Sequence, residues 1–330
     1  MNEKRKKLLA KVAYLYYIEN QTQAEISKAL GIYRTTISRM LATAKKEGIV
    51  KIDISGFDSN VFALEEYFRK KYALQQVEIA VSHSTATEIH KDEALAETAA
   101  SFIRNLVADN QVVGISWGAT LSRMIEKLEN RHVENTVFCP LAGGPSHINS
   151  KYHVNTLVYE MARKFHGKSA FVNATVVQES ERLAQGILRS KYFQDILGYW
   201  EHLDIAIVGV GGSLDESSNS QWRDLLTAED YQVLAQNKAV GECSCRFFDQ
   251  TGQLVHNELQ KRTIGIPLEK IGELPKSVAI ARGKSKAQAI LAMLRKKYIN
   301  CLVSDRETII AILRLDQDDS FKTSSLDQER

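Results

Sequence analysis

After residue 75 this 330-residue chain keeps returning to one order: an apolar run of strand length, a loop of small residues, then an amphipathic helix. Residues 77–81 precede a helix over 90–106, and residues 111–115 run through Ser116-Trp117-Gly118-Ala119-Thr120 into a helix over 121–128. Residues 136–141 end in Ala142-Gly143-Gly144-Pro145 before a helix over 152–165, and residues 203–208 end in Gly209-Val210-Gly211-Gly212. Residues 278–281 lead through Arg282-Gly283-Lys284-Ser285-Lys286 into a helix ending near 297, and residues 301–304 lead into one over 306–313. Units of this kind build an α/β domain with a mostly parallel sheet covered by helices. Such sheets bind ligands outside the carboxyl ends of their strands, so the loops are the candidate sites.

The loop Ser116–Thr120 offers backbone N–H groups at a helix start plus two hydroxyls, which suits a phosphate or a hydroxyl-rich sugar. The competing reading is a tight turn that simply needs glycine. The Gly209–Gly212 loop lacks the G-x-G-x-x-G spacing, so a dinucleotide is not expected. Lys286, close to a helix start, can donate to a polar ligand. His153 and Asn155 enter a helix from the Gly143-Gly144 loop, and Glu242 and Arg246 lie along one strand-like run, 240–248. Residues 247–252 read as a turn on Asp249 and Gly252. Cys139, Cys243, Cys245 and Cys301 sit in apolar runs, as buried thiols of a reducing cytoplasm do. Strand alternation would point Cys243 and Cys245 to one face, but no second Cys or His pair stands at metal spacing, so no metal is expected.

A polar break at Gly56, Asp58, Ser59 and Asn60 separates residues 1–56 from 57–330, the latter opening with a connecting helix within 57–75 that carries Leu64, Tyr67 and Phe68 on one face. In the first segment, Thr22 and Glu25 form a capping box, so a helix begins at Gln23 with Ala24, Ile26, Ala29 and Leu30 inward. Gly31 ends it, Ile32 and Tyr33 turn, and a second helix packs Ile37, Met40, Leu41 and Ala44 until Gly48. A preceding helix supplies Leu8, Val12, Leu15 and Tyr16, and residues 49–54 read as a β wing. The fold expected is a winged helix-turn-helix. Its second helix presents Arg34, Thr35, Thr36, Ser38 and Arg39, which with Gln23 and Tyr33 form the candidate DNA-contacting set. Residues 1–54 hold eleven Lys and Arg against five Asp and Glu, while the remainder is slightly acidic. A basic head on such a body suits a protein offering one end to a polyanion; the bland alternative is a helix pair whose charges face water. No secretory signal is visible, and no run approaches the roughly 18 apolar residues of a membrane span, so a cytoplasmic protein is expected.

The segments TQAEISKALGIYRTTISRMLATAKKEGIVKI, SWGAT, LAGGP, GVGG, GECSCRFFDQTG and ARGKSKAQAILAMLRKKYINCLVSDRET together resemble the SorC family of bacterial sugar-responsive transcription regulators. The resemblance covers nearly the whole chain. It implies a helix-turn-helix head, and a body similar to sugar-phosphate isomerases of the ribose-5-phosphate and glucosamine-6-phosphate type that binds without turnover or cofactor. It also implies a homo-oligomer, typically a tetramer. By position it places effector contacts at Trp117, Gly118, Ala119, Thr120, Gly143, Gly144, His153, Asn155, Glu242 and Lys286. The segments GIYRTTISR, YHVNTL and YINCLV point within the family to L-sorbose or sorbose 1-phosphate as effector. Three positions depart from the pattern. Arg282-Gly283 replaces a glycine pair, which narrows the pocket or adds a cation. His153 stands for a Gln and Ala142 for a basic residue of some phosphosugar-binding relatives, which weakens the case for a phosphorylated ligand.

Two functions of different class follow. One is a regulator of a sugar-utilisation operon, its operator affinity set by a sugar in the sheet-end loops. The alternative is an isomerase-like enzyme with a DNA-binding head, for which Glu242 or His153 would have to serve as general base.

Overall fold

The computed structural model describes residues 3–50, 59–83, 85–145, 150–212 and 225–318. The chain divides into two units, residues 1–59 and 60–330. In the first, α1 (Glu3–Tyr17), α2 (Gln23–Leu30) and α3 (Arg34–Lys46) close on one small core of Leu9, Val12, Ala13, Ile26, Ile37, Leu41 and Ala44. The start of α2 is fixed by reciprocal capping: Thr22 Oγ1 accepts the Glu25 N–H at 3.3 Å, and the Glu25 carboxylate accepts the Thr22 N–H at 2.7 Å. Gly31 ends α2 in the left-handed region (φ 67°), its N–H donating to Ser27 O, and Ser27 Oγ donates to Ile32 O at 2.6 Å across the turn. Leu8 is exposed, and Leu9 takes the inward place expected of it. Ala24 and Ala29 also face out, since with so short a helix Ile26 and Leu30 alone meet the neighbours. Ile49 and Val50 pack on this core, and the rest of the expected wing, 51–54, lies outside the described residues, as do Gly56 and Asp58.

The second unit begins with α4 (Ser59–Lys71), β1 (Gln76–Ala80), α5 (Glu88–Leu106), β2 (Val112–Ile115), α6 (Ala119–Lys127), β3 (Val137–Pro140), α7 (Val154–Phe165) and β4 (Lys168–Ser169). It continues with α8 (Glu181–Leu188), α9 (Gln194–Glu201), β5 (Ile205–Gly209), α10 (Ala228–Gln236), β6 (Gly241–Cys243), β7 (Arg246–Phe248), α11 (Asn257–Arg262) and α12 (Leu268–Glu273). It closes with β8 (Lys276–Ile280), α13 (Ala287–Arg295), β9 (Cys301–Asp305) and α14 (Arg306–Leu315).

Seven strands form one sheet in the order β1-β9-β8-β5-β2-β3-β4, and every pairing in it is parallel. The central strands are buried on both faces, as their unbroken apolar runs require: β9 is buried throughout, and β5 is exposed only in part at Gly209. Phe138 of β3 stacks on Phe165 of α7 at 5.5 Å, and Trp200 of α9 donates its indole N–H to Pro140 O at 2.7 Å, satisfying a buried donor that would otherwise be costly. At the open edge, Glu65 of α4 accepts the N–H of Ile79 in β1 at 2.8 Å, so a helix side chain caps one group of the bare strand. The 240–248 run is not one strand. It folds back as an antiparallel hairpin, β6 against β7, because Ser244 and Cys245 both take positive φ (49° and 66°). That is the two-residue turn whose twist matches paired strands, although neither residue is the Asn or Gly usually found there.

Candidate functional site

Strand order locates the site. From β2 the chain proceeds outward to β3 and β4, then returns to β5 beside β2 and proceeds the other way through β8 and β9. The crevice outside the carboxyl ends of β2 and β5 is therefore the topological switch point, where loops leave in opposite directions and open a gap. A cavity of about 170 Å³ lies there, lined by residues 116–120 after β2, Gly209 at the end of β5 with Val210 and Gly211 beyond it, the hairpin residues Glu242, Ser244 and Cys245, and Lys286. It is smaller than the roughly 300 Å³ at which pockets for drug-sized ligands begin, and suits a small polar metabolite.

Local geometry explains each wall. Ser116 is buried, and its hydroxyl accepts the Gly209 N–H at 3.2 Å, tying the two strand ends together. Gly118 stands at φ 130°, ψ 167°, a conformation natural only to glycine, and opens α6 without a side-chain cap. The first N–H groups of this nine-residue helix thus point their partial positive charge outward at the loop. Gly211 and Glu242 exchange backbone hydrogen bonds at 2.9 and 3.2 Å, which fastens the hairpin to the β5 loop. Gly241 permits this contact: a Cβ there would meet Gly211 O at 2.6 Å and Ala289 Cβ at 2.3 Å.

Two charged groups face this space. Burial pushes the Glu242 carboxyl up to about 7, opposed by the Cys245 N–H it accepts at 3.2 Å and by the charge of Lys286. Burial lowers the Lys286 ammonium from its ordinary range, opposed by Glu242 and Asp92. Lys286 is the one Lys or Arg among the described lining residues. An uncapped helix start, one cation and one carboxyl poised between its two forms can together hold a polyhydroxy compound, with or without an anionic group.

The structure thus brings together Ser116, Trp117, Gly118, Ala119, Thr120, Glu242 and Lys286. Gly143, Gly144, His153 and Asn155 are not among the lining residues. They cluster at the end of neighbouring β3, where Gly143 and Gly144 donate their N–H groups to Ile264 O and Ala174 O, both at 2.9 Å. The His153 ring lies against Gly144, where a Cβ would meet Nε2 at 2.3 Å; its Nδ1 accepts the Asn155 N–H to cap α7, and burial lowers its pKa. The Asn155 amide is occupied at both ends, by Val172 O (2.8 Å) and the Val172 N–H (3.0 Å). Residues 146–149 of this loop lie outside the described residues. Arg246 is buried and bound to Gln260 and Gly265 O, away from the cavity. Arg282, expected to narrow the pocket or charge it, does not line it and is bound instead by Glu88, Asp92 and Asp305. Gly209, Val210 and Gly211 carry no dinucleotide fingerprint, and it is the strand order that makes them a wall of the cavity. All four cysteines are buried and free, and burial pushes Cys139 up to about 12, so none is poised as a thiolate. Among the described residues no group of three His, Cys, Asp or Glu could hold a metal ion, and no helix is long and apolar enough to cross a membrane.

On the head, Arg34, Thr35, Thr36, Ser38 and Arg39 are exposed on one side of α3 while Ile37, Leu41 and Ala44 are buried on the other. Tyr33, at the start of α3, is 85% exposed, and Gln23 is half-buried. Arg5, Lys6, Lys7 and Lys11 of α1 are exposed too.

A basic helix-turn-helix joined to a pocketed parallel-sheet body is the plan of a ligand-responsive transcriptional regulator. Residues 59–314 match the family model described as "Putative sugar-binding domain". The chain is 34% identical over 312 residues to the sorbitol operon regulator of Klebsiella pneumoniae, covering 93% of this chain and 98% of that protein. The crystal structure of that full-length regulator superposes with a TM-score of 0.72 at 32% identity, over 94% of this chain and all of the other. A transcriptional regulator of Streptococcus pneumoniae TIGR4 superposes with a TM-score of 0.76 at 46% identity, over 80% of this chain and all of the other. The chain belongs to the SorC family of bacterial sugar-responsive transcriptional regulators, and the isomerase alternative gives way to a regulator without turnover.

Proposed function

We propose that the chain controls a sugar-utilisation operon and that its operator affinity is set by a monosaccharide, a hexitol or one of their phosphates, held at the switch-point cavity. The observation that carries this reading is the convergence of Glu242, Lys286 and the uncapped start of α6 on one 170 Å³ space. The sequence motifs favour L-sorbose or sorbose 1-phosphate, and the name of the Klebsiella relative adds sorbitol and its phosphate. The α3 residues Arg34, Thr35, Thr36, Ser38 and Arg39, with Tyr33 and Gln23, contact the operator, and the chain acts as a homo-oligomer, a tetramer by the family pattern, on paired half-sites.

Calorimetric and thermal-shift titration of the full chain with L-sorbose, sorbose 1-phosphate, sorbitol 6-phosphate and fructose phosphates tests the effector. A ligand specific for the native state stabilises it by about 2.7 kcal/mol at a hundred times Kd. Failure of every compound would remove the sugar from the mechanism. Arg39→Ala tests the head: operator affinity should fall roughly tenfold, with a shallower salt dependence if the contact is to phosphate, while sugar binding stays unchanged. Loss of both activities would mean that Arg39 supports the fold.

A further inference from the structure

Arg282 stands between the end of β8 and the turn that carries Lys286, yet it is not among the residues that line the cavity. Its guanidinium donates to Asp305 at 3.1 Å, to Glu88 at 2.6 Å and to Asp92, and only 10% of the side chain is exposed. Asp92, on α5, also pairs with Arg123 of α6. Lys286 behaves differently. It has no ion pair among the described residues, yet it feels the opposite charges of Glu242, which lines the cavity with it, and of Asp92, which does not, together with the like charge of Arg282. A desolvated ammonium with carboxylates on two sides goes to whichever is less neutralised. Among the described residues Arg282 is the one cation that contacts all three of Asp92, Asp305 and Glu88, while Arg123 shares Asp92 and Lys91 shares Glu88.

We propose that Arg282 is a positioning residue for effector binding: by saturating Asp92, Asp305 and Glu88 behind the loop, it leaves the Lys286 ammonium free to face the cavity. Its planar fork suits the task, since one cation must serve three carboxylates from different elements at once. The backbone of the same loop is held independently, the Gly283 N–H donating to Thr308 Oγ1 at 2.7 Å, so the loop keeps its course when the guanidinium is removed. What changes is the choice open to Lys286. This inference rests on the cavity being the effector site.

The test is a suppressor experiment on the full chain, read by calorimetry with sorbitol 6-phosphate and sorbose 1-phosphate. Arg282→Met should weaken the bound compound roughly tenfold, the scale of one charge-assisted hydrogen bond. Adding Asp92→Asn removes the carboxylate that captures Lys286, and should restore affinity to within about threefold of the parent. A brace would behave in the opposite sense, the second substitution adding to the loss. Arg282→Met without effect, or a double variant no better than the single, overturns the proposal. If Arg282→Met melts below the assay temperature, Arg282→Gln carries the same comparison. Lys286→Ala in parallel separates the two readings: unchanged binding there takes Lys286 out of the effector site and the role of Arg282 with it, whereas binding lost there but kept in Arg282→Met overturns the role of Arg282 alone.

Discussion

Lys286→Ala should lower effector affinity by a hundredfold or more, while operator binding without sugar stays at its parental value. The reason is that no other Lys or Arg among the described residues lines the cavity, so an anionic or hydroxyl-rich ligand loses the one charged donor described there. The unliganded fold should tolerate the change. Lys286 is an ammonium disfavoured by its own burial, and Glu242, left without a counter-charge, can take up a proton instead. Calorimetry gives the first half of the result, and operator titration by fluorescence anisotropy with and without sugar gives the second. A sugar response of parental size would exclude Lys286 from the site.

Glu242 should make stability depend on pH through neutrality. Its carboxyl titrates at about 7 in the fold, against an ordinary value of 4.5. The groups facing it are Lys286 and the thiols of Cys243 and Cys245, which burial keeps protonated. Between the two pKa values the native chain holds a proton that the unfolded chain has released. The contribution is therefore fully present below about pH 4.5 and is lost as pH rises through 7. Since the carboxyl borders a cavity that water can enter, the loss is about 2 kcal/mol rather than the full linkage value. Glu242→Gln should flatten this dependence and be the more stable protein at pH 8, as measured by urea unfolding at pH 5 and 8. Parallel losses in parent and variant would assign the titration to another group.

The head was largely legible in the sequence because its signals are local. Thr22, Glu25 and Gly31 act within one or two turns, and the structure shows each doing so. The departures there are Leu9 in place of Leu8, where adjacent leucines leave the helical phase undecided, and Ala24 and Ala29, which face out of a short helix. The body was legible in its units but not in its order. The runs announce parallel strands, yet nothing in residues 203–212 says that β5 lies beside β2, and that adjacency makes Gly209–Gly211 part of the cavity. The hairpin of β6 and β7 was missed because Ser244-Cys245 carries none of the usual turn residues. Arg282 was misread for a different reason: a guanidinium next to a pocket looks like part of it until Glu88, Asp92 and Asp305 are seen behind it.

The placement of β1 bears on the life of the chain as it leaves the ribosome. Among the described residues Gln76–Ala80 has its sole strand partner in Cys301–Asp305, the last strand of the sheet to be made. The helical core of the head is complete once about residue 50 has emerged, from contacts close in sequence, which is the quick kind to form. The body must wait. Until Cys301–Asp305 arrives, β1 and β8 each present a bare edge of the kind that pairs promiscuously with other chains. A nascent chain can thus complete its helical head well before its parallel-sheet body.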